Sequence, residues 1–255
     1  MTYKPKATGW PQLITEDGIF SNTATQKYPL GMMVLDIHGN TYRYVKANEA
    51  IAVGQVVTPI AKTTFDSAQL YGAGASGDDH IHIDTKAAAV TINQYTDYFI
   101  GQASAAGLGA FYRLAGHPAA DATAVWKANL ATENTLIEAF ADNVALNVYN
   151  PYLIELTDAA TEFILGVAIG TLTSGYYGFI QTGGFCPCVA VGHSTSVAIV
   201  VNEPMAPVAA NPGSCEGVEG GDEVDIFCAF CSPLIALQAV AANTTGYVPA
   251  FMKLR

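Results

Sequence analysis

Apolar and polar positions along this chain alternate in short runs that stop at glycine or proline instead of continuing into a helical stripe. Residues 98–116 (YFIGQASAAGLGAFYRLAG) and 163–184 (FILGVAIGTLTSGYYGFIQTGG) show the pattern most clearly. Each reads as a strand, a crossing of small residues with a glycine turn, and a second strand, because alternating or near-continuous apolar runs bounded by glycine mark half-buried or buried strands. Residues 29–47 predict a hairpin whose turn is His38-Gly39-Asn40, with Tyr42, Tyr44 and Lys46 on one face and Arg43 and Val45 on the other. Another glycine-interrupted strand pair follows at 51–60, and further strands are expected at 81–83, 88–92 and 98–103. After Asn150-Pro151 the β pattern returns at 152–156, 163–171, 176–182, 189–191, 197–201, 224–230, 235–240 and 247–254. Only 133–141 has a helical pattern, with Leu136, Ile137 and Phe140 on one side.

The expectation is therefore an all-β protein of β-sandwich or β-barrel-like domains, with one short helix and an extended N-terminal arm. Its predicted organisation is an arm over 1–28, a β domain over 29–150 carrying the helix near 133–141, and a second β domain over 151–255. The arm mixes Lys, Pro, Gly and Thr around Trp10 and Phe20. Such a segment either frays or gains order by lying on a neighbour.

Charge narrows the function classes. With 11 basic against 22 acidic residues and a net charge of −11, nucleic acid is excluded as a partner, since phosphate binding needs clustered Lys and Arg. No apolar run approaches the roughly 20 residues of a spanning helix, and the N-terminus has no signal-peptide pattern, so no membrane is expected and synthesis in the cytoplasm is. Charged residues make up only 13% of the chain, low for a protein whose whole surface is wetted, which implies that part of the surface is covered by a partner. The 13 tyrosines fit both core packing and such an interface.

Candidate chemistry sits in two places. In Asp78-Asp79-His80-Ile81-His82-Ile83-Asp84, strand geometry places His80, His82 and Asp84 on one face, a donor set that suits a divalent transition metal. The same alternation describes any half-buried strand whose wet face is rich in histidine. Cys186-Pro-Cys188 and Cys228-Ala-Phe-Cys231, with Cys215 between them, are buried thiols, a disulfide set or a structural zinc site. The one-residue gap of the first pair fits zinc less well than the second. Neither a nucleophile elbow nor a phosphate loop is present, and the acidic loop around Asp222 and Glu223 lacks the ligand spacing of a calcium loop. The residues name no catalytic group and no cofactor.

Residues 28–57, with Leu30-Gly, an apolar strand, Asp36-Ile-His-Gly39, Tyr42-Arg-Tyr-Val-Lys-Ala47 and Ala52-Val-Gly54, resemble head decoration (capsid cement) proteins of tailed bacteriophages. Gly166-Val-Ala, Gly175-Tyr-Tyr-Gly-Phe-Ile-Gln181 and Val189-Ala-Val191 are similar to the later strands of that family. The resemblance implies a non-enzymatic virion protein on the capsid exterior that stabilises the head. Its partner would be the major capsid protein of the same virion, and its state commonly a homotrimer. Two alternatives stand beside it: a carbohydrate-binding or adhesin module of a fibre or spike, and a metalloenzyme built on His80, His82 and Asp84.

Overall fold

The structure is a computed structural model that describes residues 12–13, 16–60, 69–72, 74–84, 89–102, 111–122, 124–131, 135–137, 139–140, 146–158, 163–191, 199–200, 202–218, 234–239, 241 and 244–252. The chain is all-β, and among the described residues its one helix is the four-residue turn Glu16–Ile19. It divides into two compact units: residues 1–60 with 151–255, and residues 61–150. Asn150-Pro151 is thus a boundary, but the domain expected over 29–150 is corrected, because the chain returns after Pro151 to the unit it left at Ile60.

The first unit shows why the chain returns. Strand Thr41–Ala47 pairs in parallel with Leu153–Leu156, which pairs with Val56–Pro59, then with Gly166–Ala168, then with Tyr177–Val191, and that last strand pairs back onto Thr41–Ala47. These five strands form a closed barrel, and neither segment closes it alone. Val45, Ala47, Val57, Ile154, Ala168 and Ile180 fill its interior, with Ile51 and Leu172 from the turns. The opposite face of Thr41–Ala47 is buried too. Tyr42 and Tyr44 pack with Phe179, Ile19, Leu30 and Val34, so the two faces that sequence alternation separates are both interior.

The cover over that second face comes from the N-terminal segment. Gln12–Leu13 pairs in parallel with Val34 and Leu35 of Met33–Leu35, Thr23 bridges Tyr177, and Ile19 is buried. The described part of the predicted arm is therefore a lid on its own barrel and not a free arm; residues 1–11 lie outside the described residues.

Tyr177–Val191 is a single strand of 15 residues, where the sequence pattern predicts two strands separated by Gly183-Gly184. An irregularity between Gln181 and Gly183 bends it without ending it. The buried Gln181 amide donates to the carbonyls of Gly183 (3.1 Å) and Phe185 (2.6 Å), which satisfies the groups that the bulge removes from the ladder. Gly184 has φ of +91°, a left-handed conformation, and a Cβ there would lie 2.1 Å from Asn40 Oδ1.

Beyond the bend the same strand enters a second ring. It pairs with Thr245–Met252 and with Cys215–Gly217; Leu234–Ala236 and Met205–Pro207 flank these, and the Pro204 to Ile235 bridge joins the two ends. Cys186, Cys188, Ala190, Met205, Cys215, Leu234, Val248, Ala250 and Met252 fill this ring.

The second unit is a six-stranded antiparallel sheet in the order Leu146–Tyr149, Phe99–Gln102, Tyr112–Gly116, Val125–Leu130, His80–Asp84, Gln69–Leu70. One face carries its core, including Ile81, Ile83, Ile100, Leu114, Trp126 and Val148. The helix expected near 133–141 is corrected: residues 135–137 and 139–140 are not helical. Leu136 N–H donates to Asp78 O (2.9 Å), and Gly74 and Phe140 exchange both backbone bonds (3.0 and 2.8 Å). Leu136 and Phe140 are buried while Ile137 is 78% exposed. Backbone pairing with the 74–78 segment outweighs a local helix propensity of a few tenths of a kcal/mol per residue.

Candidate functional site

The feature that the core does not account for lies on the outside of the second ring. Cys186, Cys188 and Ala190 point inward from the long strand, and Val248, Ala250 and Met252 point inward from its partner. The residues between them must therefore face outward. In register they form four rungs: Phe185 beside Phe251, Pro187 beside Pro249, Val189 beside Tyr247, and Val191 beside Thr245. Phe185 is 66% exposed and Tyr247 64% exposed. The Phe185 and Phe251 rings meet edge-on at 5.1 Å between centroids. None of the eight residues carries a formal charge at neutral pH, on a chain of net charge −11.

Proline is tolerated in both strands because these rungs direct their backbone polar groups away from each other. Val189 N–H donates to Gly54 O (2.7 Å), and Pro249 O accepts from Leu237 N–H (2.9 Å). The missing N–H of Pro187 and Pro249 thus removes no bond between the two strands. Tyr247 is held at the edge of the face against the turn at Gly54, where φ is +78° and a Cβ would lie 2.7 Å from the tyrosine ring. The result is a stiff, apolar, solvent-facing strand pair of the kind that marks an interaction surface.

The sequence candidates for metal sites fall elsewhere. His80 and His82 do share the outward face of His80–Asp84, with rings 5.1 Å apart, and Ile81 and Ile83 are buried behind them. However, His80 Nδ1 is engaged with Asp79 Oδ1 at 2.6 Å, and Lys127 stands directly opposite His82. That hydrogen bond also holds the Asp79 carboxyl below its ordinary range. A cation beside His82 disfavours a bound metal ion. Among the described residues no group of three or more His, Cys, Asp or Glu side chains is placed to hold a metal, Asp84 with the two histidines included.

Cys186 and Cys188 share the inward face, since the strand stays regular through Pro187. Both, with Cys215, are buried free thiols. Burial pushes the Cys186 thiol up to about 12, and the neighbouring Cys188 adds to it. The Cys188 thiol is raised well above its ordinary value by its hydrogen bond with Cys215 and by burial. Thiols held protonated in this way are poor nucleophiles. Cys228 and Cys231 lie outside the described residues.

Of the tyrosines, which from sequence fit either core packing or an interface, several turn inward. Tyr42, Tyr44 and Tyr112 are buried, and Tyr95 and Tyr98 pack against the core of the second unit. A second aromatic group does face outward there: Phe99 stacks on Tyr149 (5.9 Å), Phe111 meets Tyr149 edge-on (5.4 Å), and the Arg113–Asp97 ion pair lies alongside. The Phe185 to Thr245 ladder was not legible in the sequence because Pro187 falls between the strands expected at 176–182 and 189–191, and nothing local shows that the strand expected at 247–254 pairs there. Its signal was the spacing Phe185-x-Pro-x-Val-x-Val191 matched by Thr245-x-Tyr-x-Pro-x-Phe251, each interleaved mainly with Cys, Ala or Val.

Comparison of the chain with protein-family models, with curated proteins and with solved structures finds no match.

Proposed function

We propose that this is a structural protein whose work is done by binding and not by catalysis. More particularly, we read it as a head decoration protein that binds the outer capsid surface of a tailed bacteriophage and stabilises the shell. The observation that carries this reading is where the resemblance falls in the fold. The segments that resemble the decoration family contain Thr41–Ala47 and Gly166–Ala168, the first two residues of Val56–Pro59 and both ends of the long strand Tyr177–Val191, and so fall on four of the five strands that close the first barrel. The similarity thus falls mainly on strands that pair with one another. An uncharged, outward-facing ladder on the adjoining ring and a charged fraction of 13% agree with a protein that works partly covered.

The experiment is co-sedimentation of the purified protein with expanded and unexpanded shells assembled from the capsid protein of the same virus. Saturable binding to expanded shells is the expected result; equal recovery in the supernatant with and without shells counts against the reading. A carbohydrate-binding role is the second reading, favoured by the Phe99, Phe111 and Tyr149 rings beside Arg113 and Asp97, since sugars stack on such platforms. A glycan array probed with the isolated protein separates the two: retention on defined glycans, lost in Phe111→Ala, favours the second.

A further inference from the structure

We propose that the outward ladder of the second ring, continued at its Phe185 end by the turn that carries Ile37, is the surface by which this protein seats on the capsid shell. Its counterpart is an apolar patch, free of acidic side chains, on the exterior of the capsid protein. This rests on the decoration reading and adds to it the residues that make the contact.

The ladder is built as an anchor. Phe185 is 66% exposed and is held edge-on against Phe251 with ring centroids 5.1 Å apart. Pro187 and Pro249 stiffen the rung behind it. Tyr247 lies against the Gly54 turn beside Val189, so the relief of the face is concentrated at the Phe185 and Phe251 end. That end is tied to the hairpin turn, because Asn40 Oδ1 accepts from Phe185 N–H at 3.1 Å. The turn presents Ile37 at 81% exposure, and it is rigid: the Asp36 carboxylate accepts from His38 N–H (2.8 Å), Asn40 N–H (2.9 Å) and the Tyr42 hydroxyl (2.9 Å). Large apolar side chains already fixed on stiff backbone lose little freedom when they are covered, which is the mark of anchoring residues.

Extent and charge decide what covers it. Four rungs span about 20 Å along the strands and two strands about 10 Å across, well under the roughly 800 Å² per partner of a standard stable complex. A face this small does not overcome the mutual repulsion of copies that each carry −11, so it is not met by its own copy. Nor does it hold a soluble partner that offers a single counterpart. A shell offers the same counterpart at every repeat. With the three ladders of a trimer seated at once, the second and third contacts form at effective concentrations of about millimolar, and the assembly holds although each contact is weak. None of the eight ladder residues carries a formal charge, and Asp36 is turned into the hydrogen bonds of its own turn. The contact is therefore apolar and persists as salt rises.

The test is co-sedimentation of the full-length protein with expanded shells assembled from the capsid protein of the same virus, in about 0.05 M and 0.5 M NaCl. Solution mass is followed alongside by light scattering. The wild type is expected to bind as well in high salt as in low. Phe185→Lys is expected to lower the apparent affinity by about tenfold or more, and Ile37→Lys by a smaller factor. Both side chains are exposed, so folding, checked by circular dichroism, and solution mass are retained. Phe111→Lys, on the other unit, is expected to bind as the wild type does. A wild type that never sediments with shells removes the decoration reading, and this inference with it. A wild type that binds beside a folded Phe185→Lys that binds equally well overturns the ladder contact alone. So does binding lost in Phe111→Lys, or binding that falls away in 0.5 M NaCl. A Phe185→Lys protein of lower solution mass would assign the face to contacts between copies and overturn the inference too.

Discussion

Several single residues hold positions that no substitute fills. At Gly184 the left-handed backbone and the Asn40 side chain, whose Oδ1 accepts from Phe185 N–H at 3.1 Å, leave no room for a Cβ. Gly184→Ala is expected to destabilise the first unit by about 1–3 kcal/mol, as strain of this kind does, with a matching fall in the urea midpoint. Asp36 does comparable work in the hairpin turn. Although partial burial opposes it, hydrogen bonds from Asn40, Tyr42 and His38 hold its carboxyl below the ordinary value. His117 sets a pH limit for the second unit. It is buried beside Trp126 with ring centroids 4.4 Å apart; its Nε2 accepts from Tyr95 N–H (2.9 Å) and its Nδ1 bonds the Pro118 carbonyl (2.8 Å). This is a neutral ring, and burial lowers its pKa against the opposing Pro118 bond. Above the unfolded value of about 6.5 both states are neutral, so nothing is lost there. As pH falls below it the unfolded state takes up the proton first, and stability drops by at most ~1.4 kcal/mol per pH unit until the folded ring titrates. Denaturant midpoints followed by Trp126 fluorescence in a Trp10→Phe background are expected to fall between pH 7.5 and 5.5 in the wild type, and less in His117→Gln.

Strands and their closures explain how much of the fold could be read from the sequence. The hairpin around Gly39 and the antiparallel pairs within 98–116 and 163–184 follow from alternation plus glycine, and all three pairs form. His80–Asp84 also keeps its predicted alternation, with Ile81 and Ile83 inward. What failed was everything set by distant partners. Leu136 and Phe140 have helical spacing but are fixed by backbone bonds to residues 74–78, which no local pattern encodes. Gly183-Gly184 looks like a strand end because a bulge and a turn use the same residue type. The ladder was hidden because Pro187 interrupts the first strand's pattern and because the pairing of that strand with Thr245–Met252 is a matter of register between distant segments. The N-terminal segment resembled an arm because its apolar residues are sparse, yet Ile19 alone is enough to join the Tyr44 and Phe179 cluster. Removing residues 1–25 is therefore expected to lower the melting temperature of the first unit by several degrees; Ile19→Ala alone is expected to cost about 2–4 kcal/mol. Differential scanning calorimetry of both proteins checks this, and an unchanged transition would contradict the lid.

On the scale of the whole molecule, two units with separate cores are built from one chain, and the first is interrupted by the second. In the first unit closure of strands into rings removes exposed edges of the kind that make β proteins aggregate and leaves mainly faces for association, whereas the second unit is an open sheet that ends at Leu146–Tyr149 and Gln69–Leu70. The uncharged ladder presents two of the exposed large side chains, Phe185 and Tyr247, and among the described residues no group of three or more His, Cys, Asp or Glu side chains is placed to hold a metal. On the proposed reading a low-charge β protein of this kind would gain its effect by being present in many copies, each adding a modest contact to a large lattice. The central claim is that those contacts strengthen a capsid. The measurement that tests it most directly is the temperature at which DNA-filled shells lacking this protein release their DNA, followed with a dye, before and after adding the purified protein. A capsid-stabilising protein raises that temperature, and the rise saturates with protein concentration. A release temperature that does not move at saturating protein would contradict the claim.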